Sequence, residues 1–169
     1  MTFDWPRKDS RESFEINEFI KHYKRLPHGR ELEIIEKREK PDYILRDPAS
    51  NDYFGVELTS VYIDDRSVPN SHMKDGEGNI PYNSEEIKQY KQRLLKSISE
   101  KINKAKSGYE TSYPLILSVY VNEYISIYIR EKDLQAFVKE NESAFDQMSP
   151  FCEIVFWPLP NESVFSVKP

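Results

Sequence analysis

Cysteine occurs once in this chain, at Cys152. A single thiol excludes an internal disulfide and any zinc site built from several cysteines. Its place in an apolar stretch is that of a buried packing residue. Histidine is scarce too. His22, His28 and His72 are scattered, and no two have the i, i+4 spacing of a metal-binding pair. Each is expected at the surface or at a helix end. The five glycines build no phosphate-cradling loop. Asp75-Gly76-Glu77-Gly78-Asn79 lacks the alternating ligands and terminal glutamate of a calcium loop, so a flexible turn is expected there. Apolar runs such as Leu115-Ile116-Leu117 are far too short to span a bilayer. Residues 1–10 carry Asp4, Arg7, Lys8 and Asp9 and no apolar stretch, so no signal peptide and a cytoplasmic location are expected. Positive charge is not in excess either. The net charge of -5 argues against coating nucleic acid by bulk electrostatics, although one basic face remains compatible with it.

What the chain does have is material for a core. Hydrophobic residues make up 38% and aromatic residues 13% of 169 positions, enough for one domain spanning residues 1–169. Phe14, Ile16, Phe19, Ile20 and Tyr23 are spaced for one helix face over 10–25, with Pro27 beyond. Strands are expected at 31–37, 42–46 and 53–62. In the third, Phe54, Val56, Leu58 and Tyr62 fall on one face and Gly55, Glu57 and Thr59 on the other. Residues 63–83 have loop composition. Asn83, with Glu86 three residues later, starts a long helix over 84–107 whose stripe is Ile87, Tyr90, Leu94, Ile98, Ile102 and Ala105. Strands at 114–121 and 124–129, paired as a hairpin, a helix at 131–146 and a strand at 151–157 follow. A short edge strand at 163–167 closes the chain. Three closely linked strands imply an antiparallel meander, and the long helix after them a crossover connection. The fold class is therefore α/β, with a mixed central sheet flanked by helices.

Asp42 opens the second strand, and Glu57 lies mid-way along the third, opposite its apolar face. A carboxylate in such a strand is costly to bury without compensation. A divalent cation is one form of compensation, since magnesium takes one or two carboxylates plus water and phosphate oxygens. Chance placement among 29 acids is the plain alternative. The helix over 84–107 carries Lys88, Lys91, Arg93, Lys96, Lys101, Lys104 and Lys106 against Glu85, Glu86 and Glu100. Such a stripe suits a phosphate backbone, and it also suits an ordinary solvated helix face.

The stretch from Glu36 through Pro41-Asp42 to Asp47, followed by Phe54-Gly55-Val56-Glu57-Leu58-Thr59, resembles the core of the PD-(D/E)XK nuclease superfamily. In that family a Pro-Asp opens one strand and an acid-x-Lys closes its neighbour. The order helix, three strands, helix, strand over roughly residues 10–121 is similar as well, with a helix-strand extension after it. The resemblance implies a restriction-endonuclease-like fold. It also implies magnesium- or manganese-dependent hydrolysis of phosphodiester bonds in DNA, as in phage defence or DNA processing. Asp42 and Glu57 would hold metal, and Glu36, or Glu33 nearly as well, would be an additional acid. Thr59 stands where the family has its lysine; its hydroxyl can place water but carries no charge. Lys88, Lys91 and Lys96, and also Lys40, are the candidate replacements, the first three doubling as phosphate contacts. Many such nucleases cut as dimers, so a homodimer is among the expectations. A catalytically inactive binding or immunity-type protein of the same fold is the alternative, favoured by Thr59 and by the net charge.

Overall fold

The computed structural model describes residues 8–62, 83–110, 112–121 and 129–169. The loop expected over 63–83 and the hairpin strand expected over 124–129 lie outside the described residues, apart from Asn83 and Ile129.

Helix α1 (Lys8–Tyr23) buries Ile16, Phe19 and Tyr23 at three- and four-residue spacing, with Asp9 in its first turn and Lys21 and His22 in its last. The chain then forms β1 (Glu33–Lys37), β2 (Tyr43–Asp47) and β3 (Asp52–Val61), an antiparallel meander. Its second turn is set by Asp47, whose Oδ1 accepts from the Ala49 N–H at 2.8 Å, and by Asn51 at φ 62, a conformation asparagine tolerates well.

Helix α2 (Ser84–Gly108) begins where the Asn83 side chain accepts from the Glu86 N–H at 2.8 Å, and it buries Tyr90, Leu94, Ile98, Ile102 and Ala105. It carries the chain back so that β4 (Leu115–Val121) lies parallel to β3. Helices α3 (Glu131–Glu140) and α4 (Glu142–Asp146), divided at Asn141, do the same for β5 (Phe151–Leu159), which is parallel to β4. A 3₁₀ turn at Pro160–Glu162 then folds β6 (Ser163–Val167) antiparallel onto β5. The six strands pair in sequence order, β1 to β6, in one mixed sheet.

Alternation along the central strands divides the interior in two. Val56, Leu58, Ile116, Val155 and Trp157 meet α1 on one face. Leu115, Leu117, Val119, Ile154 and Phe156 meet α2, α3 and α4 on the other. The expected mixed sheet flanked by helices is therefore present. Among the described residues no helix is long and apolar enough to cross a membrane. Cys152 departs from expectation: it is exposed, because its neighbours Phe151 and Glu153 take the buried positions at the start of β5.

Gly55 determines how closely the β1–β2 connection approaches the sheet. A Cβ there would stand 2.6 Å from Leu115 Cδ2 and 2.8 Å from Pro41 Cγ. The bare backbone lets Pro41 pack directly on β3, and Asp42 follows it. Gly55→Ala is expected to lower stability by about 1–3 kcal/mol through overpacking, read as a lower urea midpoint at unchanged m-value.

Candidate functional site

The register of β2 and β3 brings the two acids together. Tyr43 pairs with Val56, so one step outward sets Asp42 opposite Glu57, and opposed residues of an antiparallel ladder project to the same face. That face is the one covered by α2. Asp42 Oδ2 accepts from the Leu58 N–H at 2.8 Å, which holds the carboxyl against β3. Burial first, and then the nearby charge of Glu57, push the Asp42 carboxyl up to about 7.

Glu57 is only 3% exposed, and its two oxygens have different surroundings. Oε1 accepts from Lys101 Nζ at 2.6 Å and from the Tyr109 hydroxyl at 2.7 Å. Oε2 is buried and has no hydrogen-bond partner among the described residues. An unsatisfied carboxylate oxygen in the interior costs on the order of 1–3 kcal/mol or more. Burial and the adjacent Glu57 raise the Tyr109 phenol well above its ordinary range, so it remains a donor at neutral pH. Lys101 also bears electrostatically on Asp42 and on Glu15. Glu15, on α1, accepts a hydrogen bond from the Ser60 hydroxyl, and burial pushes its carboxyl up. Glu12, ion-paired with Lys37 at 3.2 Å, adds negative potential at Asp42. Among the described residues no three His, Cys, Asp or Glu side chains gather as a metal-binding group. The acids opposed here are two, the number magnesium uses when water and phosphate complete its shell.

A second buried glutamate shows what a finished structural site looks like in this chain. Glu153 is also 3% exposed. Its Oε1 accepts from His28 Nε2 at 2.6 Å and Ser166 Oγ at 2.5 Å, and its Oε2 from the Tyr23 hydroxyl at 3.3 Å. Both oxygens are satisfied. His28 is thus the partner of a buried acid rather than a surface or capping residue, and His22 is buried with its ring 5.0 Å from that of Trp157.

The remaining sequence-derived candidates are dispersed. Thr59 is half-buried on β3, two residues beyond Glu57 on the same face. Glu36 lies on the exposed strand β1 and pairs with Arg38 at 3.0 Å, and Glu33 accepts from Arg46 Nε at 2.8 Å. Lys40, Lys88 and Lys96 are exposed, and Lys91 is half-buried. Lys91 shares the helix face of Lys101 but stands ten residues away, about 15 Å along the axis. Lys101 itself had a signal in the sequence. It falls three residues after Ile98 and four before Ala105, so it interrupts the apolar stripe with a charge. Glu15 does the same on α1, four residues before Phe19. Tyr109, one residue past α2, carried no such signal.

No protein-family model, curated protein or solved structure matches this chain.

Two outcomes follow from this geometry. Lys101→Met strands a buried carboxylate, so a loss of about 3 kcal/mol in urea unfolding at neutral pH is expected, with most of it recovered in the Glu57→Gln, Lys101→Met pair. The second concerns pH. The folded-state pKa of Asp42, about 7, lies above its ordinary 3.8, so the folded protein retains a proton that the unfolded chain has lost between those values. Stability therefore falls as pH rises through that window. In EDTA, Asp42→Asn should raise the melting temperature at pH 8 and raise it less at pH 5, where only part of that window has been crossed. An equal shift at both pH values would contradict the assignment.

Proposed function

We propose that this chain is a divalent-metal-dependent nuclease-like enzyme that hydrolyses phosphodiester bonds in DNA. Its site would be of the PD-(D/E)XK type, with the basic residue supplied by α2 instead of β3. The observation that carries this reading is the buried Oε2 of Glu57, which has no partner among the described residues and lies on the same sheet face as Asp42. Glu153, a structural carboxylate in the same protein, has both oxygens hydrogen-bonded.

Asp42 and Glu57 fit a magnesium or manganese ion as hard oxygen donors, Glu57 through Oε2. Such an ion, when bound, polarises a phosphodiester and lowers the pKa of an attacking water. Lys101, fixed on Glu57 Oε1, places a positive charge beside the reacting phosphate and stabilises the negative charge that develops there. Tyr109 holds the same oxygen and so fixes the rotation of the carboxylate, leaving Oε2 for the cation. Thr59 can hold a water near the scissile bond, and the exposed lysines of α2 can contact neighbouring phosphates.

The 2.6 Å contact between Lys101 and Glu57 also supports a second reading. In it the ammonium replaces the metal, and the chain is an inactive, binding or immunity-type protein of the same architecture.

Plasmid cleavage in magnesium and in manganese separates the two, with magnesium binding followed by calorimetry. The enzyme reading expects nicking by the wild-type chain, loss of at least about 100-fold in Lys101→Ala, and no activity in Asp42→Ala, Glu57→Ala. Absence of both cleavage and metal binding in the wild-type chain would establish the inactive reading.

A further inference from the structure

A second feature lies on the same sheet face as Asp42 and Glu57. β3 and β4 pair Gly55 with Leu115, and the Gly55 N–H donates to the Pro114 carbonyl at 2.9 Å. Two residues back, this register sets Tyr53 beside Tyr113. Their rings stack at 5.3 Å between centroids and 26° between planes. Both are half-buried, and neither belongs to either hydrophobic core. They border a cleft of about 450 Å³ that also includes Arg30, Phe54 and Pro114. That volume lies in the range of small-ligand sites.

The chemistry of the cleft selects a ring over an anion. Arg30 is its cation, but it is held by Asp52 at 2.9 Å and Asp47 at 3.5 Å, and its guanidinium lies 5.4 Å from the Phe54 ring centroid. Its charge is neutralised, so a phosphate gains little there. A flat, uncharged π-face gains from stacking on tyrosine whatever its sequence identity.

Position identifies the ring. Residues 53, 55 and 57 share one face of β3, so Tyr53 is four residues, about 13 Å, from Glu57. That span is roughly four stacked nucleotide steps at about 3.4 Å each. A base inside a duplex is stacked on both sides and cannot enter such a cleft without being extruded.

We propose that the Tyr53–Tyr113 cleft binds one unpaired nucleobase of a strand whose phosphodiester reaches Asp42 and Glu57, which makes single-stranded or frayed DNA the preferred substrate. The proposal rests on the nuclease-like reading of the acidic site and specifies its substrate class.

The test uses the full chain in EDTA, where no metal-dependent cleavage occurs, and fluorescence anisotropy with two probes. One is a fluorescein-labelled oligothymidylate; the other is a fluorescein-labelled hairpin duplex of similar length. Wild type should bind the single strand more tightly than the hairpin. Tyr53→Ala, Tyr113→Ala should weaken single-strand binding roughly 10-fold or more and leave hairpin binding unchanged. Tyr53→Phe, Tyr113→Phe keeps both ring faces and should bind as wild type does. The single variant Tyr113→Leu, which fills the same space without a π-face, should lose affinity as the alanine pair does. No binding of the oligothymidylate by wild type, equal affinity for both probes, or undiminished binding by the alanine and leucine variants would overturn the proposal. Magnesium calorimetry on the same proteins keeps the two readings apart. Stacking losses with metal binding intact concern the cleft alone. Single-strand binding in a wild-type chain that takes up no metal would defeat the metal site and leave the cleft.

Discussion

Glu57 stands on a strand that is hydrogen-bonded on both sides, between the Asp42 end of β2 and Leu117 of β4, and is shut away from water. A charge in that position has to be answered by groups brought from elsewhere in the chain. Two of them come from the end of α2: Lys101 from its last two turns and Tyr109 from the residue just beyond. The length and placement of α2 are therefore tied to the same point as the β2–β3 register. Gly55 belongs to this arrangement, because its missing side chain lets Pro41 and hence Asp42 close over β3. The neighbouring rows of the sheet, built from Leu115, Leu117 and Val119, pack in the ordinary apolar way.

The two buried glutamates divide the roles a buried acid can take. Glu153 joins the α1–β1 connection, through His28, to β6, through Ser166, and both its oxygens are directed at donors already present. That is a structural pin. Glu57 has both its donors on one oxygen. A network satisfied on one side only is a poor way to stabilise a fold, and it suits a site completed by something from outside.

Element order was legible in the sequence because the periodicities are strong. The α2 stripe from Ile87 to Ala105, the alternation around Glu57 and the turn at Asp47–Asn51 each admit one reading. The opposition of Asp42 and Glu57 was legible for the same reason, since one hairpin separates them. What lay beyond reach was long-range. Lys101 is 44 residues from Glu57, and only the docking of α2 on the sheet distinguishes it from Lys91 on the same helix face. Tyr109 and Glu153 share this limit, their partners lying 52 and up to 130 residues away. Cys152, expected inside, is exposed, and His28, expected at the surface or at a helix end, is half-buried against Glu153 of β5.

In the proposed reading, charge at the site reconciles an acidic protein with a polyanionic substrate. Asp42 and Glu57 carry two negative charges when ionised, and Lys101 returns one, so the cluster by itself repels phosphate. A divalent cation bound there would reverse the sign locally, with the greatest effect where burial keeps the dielectric low. Because Lys101 and Tyr109 occupy Oε1, cation and ammonium need not compete for the same oxygen of Glu57. In the proposed reading the overall charge of -5 is then no obstacle. It limits non-specific adhesion to nucleic acid, and attraction is confined to the metal-loaded site and the lysines of α2 beside it. The proposed base-stacking cleft, with its ion-paired arginine, fits that division, since it would add affinity for an unpaired strand without adding charge.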